Sequence, residues 1–399
     1  PCPVKENRLD RATFGPYNKI IWPLACGPEG AALIMLHYLD NAATTCVSPA
    51  AAQAALKVMT EEFGNPSSRH KLGSTAAARL KEDRAAVATA LGCLPEEVFF
   101  TSCGSESDNW AIRSAVRMMR RKGDHIVTTA IEHSAVLEPM KVLEQEGFSV
   151  TYLKPDKQGF ISPEAVEEAI RPDTILVSIM LVNNELGTIL PVEAAARAIR
   201  EQKSPALLHC DAVQGFLKVP FTPKSLGADL LSLSGHKIHA PKGIGALYIR
   251  KGLKLPPLML GGGQENGLRP GTEPTAQIAA FAAACREGKA AFEANRAHMS
   301  AMKVQAIELL TRDVPGLLVL TDGGAPHILP ISMPGYKSEV LVRYLSDRDI
   351  CISSGSACHR GKPSHVYAAL GLPKPVLDGT LRISFSDSTT QDDLISLRD

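Results

Sequence analysis

Between about residues 44 and 290, short apolar runs alternate with longer helical stretches. This alternation restricts the fold more than any other property of the chain. The runs are Val98-Phe-Phe-Thr, His125-Ile-Val-Thr-Thr, Val150-Thr-Tyr-Leu, Thr174-Ile-Leu-Val-Ser-Ile, Ala206-Leu-Leu-His and Leu230-Leu-Ser-Leu, followed by Ala246-Leu-Tyr-Ile-Arg. Helical patterns over 49–63 and 74–91 belong to the same region. Runs this continuously apolar predict strands buried on both faces, and their alternation with helices predicts βαβ units in a mostly parallel sheet. In such sheets ligands bind at the carboxyl ends of the strands.

The chain has 399 residues, a length typical of two domains. From about residue 290 its pattern changes. A long helix is predicted over 291–312. The short strands Leu317-Leu-Val-Leu, Ile328-Leu-Pro-Ile-Ser and Leu381-Arg-Ile-Ser-Phe then alternate with helices over 338–345 and 364–370, and a last helix over 390–397. This predicts a smaller C-terminal α/β domain packed against the first. Residues 1–34 carry neither a helical nor a strand period, and prolines and acidic residues interrupt every candidate targeting signal; they are expected to be an extension outside the fold.

Composition excludes several classes. A net charge of +1 gives no electrostatic case for nucleic acid or an anionic membrane. No apolar stretch reaches membrane-spanning length; 20–36 is broken by Pro23, Gly27, Pro28, Glu29 and Gly30. The 9 cysteines are scattered, odd in number and without a C-x-x-C pair. That speaks against a disulfide framework and a structural zinc site, and for a reduced, cytoplasmic compartment.

Two strand ends carry chemistry. Leu230-Leu-Ser-Leu-Ser234 runs into Gly235, His236 and Lys237, and Ala206-Leu-Leu-His-Cys-Asp211 is followed by Gln214. A lysine at one strand end and a carboxylate at another is the arrangement that pyridoxal 5'-phosphate (PLP) needs: the amine forms a Schiff base, and the carboxylate keeps the ring nitrogen protonated. Thr101-Ser-Cys-Gly-Ser-Glu-Ser-Asp-Asn109 lies between a strand and a helix predicted over 110–119, where small residues can present backbone N–H groups to a phosphate. Ser353-Ser-Gly-Ser-Ala-Cys358 is a small, polar string suited to a loop, and His359 and Arg360 would favour the thiolate of Cys358.

Ser234-Gly-His-Lys237 and His209-Cys-Asp-Ala-Val-Gln214 resemble the class V, fold type I PLP enzymes, and more narrowly the cysteine desulfurases of the NifS/IscS type. The resemblance runs from Tyr38 nearly to the C-terminus. It implies a large PLP-binding domain over 44–290 with a mostly parallel seven-stranded sheet, and a small domain formed by 35–43 and 291–399 that carries the cysteine loop. It implies that Gly104, Ser105, Ser234 and His236 take the phosphate. His133 stacks on the ring and handles protons. Asn184 lies near the ring hydroxyl and the substrate carboxylate, and Gln214 bonds the ring hydroxyl. Arg382 grips the substrate carboxylate.

The resemblance further implies a homodimer, with the Gly-rich segment 261–272, which lacks the flanking strand and helix of a nucleotide loop, delivering Thr272 to the neighbouring subunit's phosphate. The implied activity converts L-cysteine to L-alanine, with persulfide formed on Cys358 and passed to a sulfur-acceptor protein. A selenocysteine lyase and a class V aminotransferase remain the alternatives. The chain departs from the pattern at Asp387, where many relatives carry arginine, at Cys103, and in the short interval from Cys358 to Pro363. Its short C-terminus is expected to lack a docking surface.

Overall fold

A computed structural model describes residues 36–354 and 364–399. The expected extension 1–34, and residues 355–363 with Cys358, His359 and Arg360, lie outside the described residues. The strands are β1 (His37–Tyr38), β2 (Val98–Thr101), β3 (His125–Thr129), β4 (Ser149–Leu153), β5 (Thr174–Ser178), β6 (Leu207–Asp211), β7 (Leu230–Ser234), β8 (Gly245–Ile249), β9 (Leu318–Val319), β10 (Ile328–Ser332), β11 (Ile350–Cys351), β12 (Ser353–Ser354) and β13 (Thr380–Ser384).

Seven strands form one sheet in the order β2-β8-β7-β6-β5-β3-β4. Only β8 runs against its neighbours; the other pairings are parallel. Alternation along each strand divides its apolar side chains between two cores. Phe100, Val127, Val177, Leu208 and Leu231 enter one, and Phe99, Ile126, Leu176, Leu207 and Leu230 enter the other. The helix Gly104–Met119 covers the second face through Trp110, Ala111 and Ile112. The helices Lys71–Leu91, Val192–Glu201 and Thr275–Ala290 contribute to the first. The both-face burial read from the apolar runs is therefore present, and the fold is the expected α/β type.

The remaining strands form an antiparallel sheet, β12-β13-β10-β9, and a parallel pair, β1-β11. A third core joins Leu39 to Met299, Ala306, Leu329, Ile331, Ile350, Leu381, Ile383 and Leu394. Chain entry at β1 is thus packed with elements from the last third of the sequence. The helices Phe292–Asp313, Ser338–Ser346 and Gln391–Arg398 match the predicted stretches closely. Two expectations differ. The helix predicted to begin at Trp110 starts at Gly104, because the small residues after β2 complete its first turn. The Gly-rich segment 261–272 is followed by a helix, Thr275–Ala290, although no strand leads into it. Among the described residues no helix is long and apolar enough to cross a membrane.

Candidate active site

The parallel strands aim their carboxyl ends at one cavity of about 350 Å³. After β2, Cys103, Gly104 and Ser105 line it; after β3, His133; after β5, Asn184 and Glu185; after β6, Asp211, Val213 and Gln214; and after β7, Ser234, His236 and Lys237. Arg382, in the middle of β13, and Ser353 and Ser354, in β12, close the far side. Residues as distant in sequence as Ala42 and Arg382 meet there because the sheet order brings the strand ends together.

Lys237 ends the turn Gly235–Lys237. Its Nζ donates to the carbonyls of Ala42 at 2.6 Å and Ala43 at 2.9 Å. Asp211 is buried and accepts from the Val213 backbone N–H at 2.9 Å. Burial raises its carboxyl above the ordinary range, while the His133 ring, the Val213 N–H and the Lys237 ammonium pull it back down. Asp108, one turn into the helix Gly104–Met119, also faces the cavity. Burial first, and the charge of Asp211 second, push its carboxyl well up. Its Oδ1 makes no hydrogen bond and stands 3.6 Å from His209 Nε2. His209 bonds Ser178 at 2.8 Å and Ser232 at 3.0 Å, and burial drives its pKa down to about 3, so the ring is neutral.

The phosphate candidates show two features of a cradle. The Ser234 hydroxyl is buried without a hydrogen-bond partner. A Cβ on Gly104 would lie 2.8 Å from Val213 Cγ2, so only glycine lets the helix start approach the strand end this closely. The N–H groups of the first turn of this helix are directed toward the cavity end of the sheet, where an anion is favoured. His236 bonds Thr44 Oγ1 at 3.2 Å. Burial, followed by the neighbouring Lys237, lowers its pKa to about 4, so it offers a neutral ring.

His133 caps the helix Ser134–Gln145; its Nδ1 accepts from the Ala135 N–H at 3.1 Å, which places the proton of the neutral ring on Nε2. The Gln214 amide donates to the Ala42 carbonyl at 2.9 Å, and its oxygen is 3.3 Å from His327 Nε2. Glu185 accepts from the Ser364 hydroxyl at 2.8 Å; burial raises its pKa to about 7. Thr272 is exposed and does not line the cavity of its own chain. Asp387 stands 3.4 Å from His239 Nε2.

Residues 37–397 match the family described as aminotransferase class-V. The chain belongs to that family. Among the family's curated members, the cysteine desulfurase IscS of Methanosarcina thermophila is 42% identical over 367 residues, covering 90% of this chain and 89% of its own length. A solved NifS-like protein superposes with a TM-score of 0.86 at 36% identity, covering 91% of this chain and 97% of its own. A solved SspA in complex with cysteine gives a TM-score of 0.77 at 36% identity, over 88% and 99% of the two chains. Family members are PLP-dependent, and the residues of this cavity fit that cofactor. An amine, a buried carboxylate and a glycine-walled turn with a buried hydroxyl that has no hydrogen-bond partner line the same cavity, and these are the kinds of group such a molecule needs. Neither Asp108 nor Glu185 stands out in the sequence. Asp108 had a usable signal, four residues after Gly104 and hence on the same helix face.

Proposed function

We propose that the protein is a PLP-dependent cysteine desulfurase that converts L-cysteine to L-alanine and takes the sulfur onto Cys358. The observation that carries this reading is the convergence of Lys237, Asp211 and Arg382 on one cavity whose lining includes Ser354 and His365, on either side of the segment that contains Cys358. PLP, when bound, supplies an electron sink for the carbanion formed at the substrate Cα. Lys237 would be the amine that carries the cofactor, and its Nζ would take the Cα proton; His133 would share that work through Nε2. Asp211 holds a proton on the ring nitrogen. Gly104, Ser105, Ser234 and His236 hold the phosphate, and Asn184 and Gln214 orient the ring hydroxyl. Arg382 binds the α-carboxylate through its planar fork.

The Cys358 thiolate attacks the substrate sulfur as the Cβ–S bond breaks. The products are L-alanine and a Cys358 persulfide, so L-cysteine and one thiol give L-alanine and one S–SH group with no other oxidant. A sulfur-acceptor protein then takes the terminal sulfur. In this reading 44–290 is the large domain, 35–43 and 291–399 form the small one, and Thr272 completes the phosphate site of a second copy. Mass spectrometry after incubation with L-cysteine tests the assignment. A gain of one sulfur on the peptide containing Cys358, absent from Cys358→Ser, is expected; desulfuration at the normal rate by that variant would overturn it.

A further inference from the structure

Arg382 is spoken for on one side. Its Nη1 donates to the Asn184 carbonyl at 2.8 Å and its Nη2 to Asp40 Oδ1 at 2.8 Å. Its Nε is buried and has no hydrogen-bond partner. Arg382 lines the cavity and Asp40 does not, so the carboxylate approaches the guanidinium from behind. Asp40 is also fixed in place. Its chain bridges to Ser384 on β13, and the neighbouring Asn41 and Ala42 bond the carbonyl and hydroxyl of Ser384 at 3.0 and 2.8 Å. The pair is therefore stitched together at both backbones, two residues apart along the strand that carries Arg382.

A guanidinium already paired with a carboxylate presents a weaker field to a second one, yet keeps a fixed orientation. Two of the five N–H donors of Arg382 are committed, and the rest suffice for a bidentate grip. We propose that Asp40 is a positioning residue that holds the Arg382 fork in its binding orientation and, as a counter-charge behind it, keeps the affinity for α-carboxylates low enough for L-alanine to leave. Substrate and product carry the same carboxylate, so an unopposed arginine would hold both. The inference rests on Arg382 as the carboxylate site, as proposed above. It adds a second determinant, which nothing in the local sequence marks because Asp40 lies 342 positions from its partner.

Calorimetric titration of the PLP-loaded protein with L-alanine, and with propionate as a carboxylate lacking the amine, tests it. Asp40→Asn keeps the shape and removes the charge, and is expected to bind both ligands about tenfold more tightly. The KM for L-cysteine should fall with no rise in kcat, a split that loss of packing alone does not produce. Asp40→Ser, a second neutral variant, should shift propionate binding in the same direction and serves if the asparagine variant does not fold. Unchanged or weaker propionate binding in the folded neutral variant overturns the counter-charge role. Arg382→Gln separates the two ideas. If it retains propionate binding, the carboxylate site itself is misassigned; if it loses binding while Asp40→Asn shows no tightening, only the role of Asp40 fails.

Discussion

Lys237 illustrates how little the chemistry of a residue depends on its own neighbourhood. Its amine rests on the carbonyls of Ala42 and Ala43, and the same Ala42 carbonyl accepts from Gln214. One short backbone stretch thus positions the amine and the amide together. Removing the amine leaves the cradle intact, so Lys237→Ala is expected to fold, to lose the visible absorbance of covalently held PLP, and to form no alanine. Absorbance spectra and an alanine assay on the purified variant check this; a variant with the band and turnover unchanged would remove Lys237 from the mechanism. Lys237 and Asp211 were legible from sequence because each closes an apolar run. Asp40 was not, because its role exists only through Arg382 on a distant strand.

At the scale of elements, the end of β3 carries a buried acid. Glu132 Oε1 accepts from Thr129 Oγ1 at 2.8 Å and from the Met180 N–H at 2.9 Å, whereas Oε2 has no partner. Burial lifts its pKa from 4.5 to about 8. The folded state then binds a proton that the unfolded state releases between these values. The associated stability is present in full below pH 4.5 and is lost as pH rises through about 8. Glu132→Gln, which cannot ionise, is expected to flatten the fall in melting temperature across that interval. Melting curves from acid to mildly alkaline pH measure it, and an unchanged slope would mean that Glu132 does not dominate this titration. The element boundaries themselves were mostly readable. Helices with proline or serine at their start, such as Pro49–Thr60 capped by Ser48, announce themselves. The start at Gly104 did not, since Gly104 and Ser105 suit a turn as well as a first helical turn.

At the scale of the molecule, Thr272 is the proposed phosphate ligand that its own chain does not bring to the cavity. Leu56, Met59 and Phe63 are exposed on and just after the helix Pro49–Thr60, and Leu260, beside the Gly-rich segment, is 88% exposed. Apolar side chains left in water on this scale suit contact with a second copy. Sedimentation is expected to show a homodimer. Thr272→Ala is expected to weaken PLP binding by roughly tenfold, the worth of one charge-assisted hydrogen bond, without dissociating the dimer. A monomer with full PLP occupancy would rule the arrangement out.

Apolar runs were enough to mark the buried strands, because a strand covered on both faces is apolar at most of its positions. Residue type at the strand ends marked Lys237 and Asp211 as candidates, and the family resemblance added Gly104. The strand order β2-β8-β7-β6-β5-β3-β4 lay beyond it, and so did the cavity that this order creates. So too did the raised carboxyls of Asp108, Glu132 and Glu185, and the Asp40 carboxylate behind Arg382. Burial and charge pairing depend on which distant segments exclude water from a group, and that is settled only when the chain has folded.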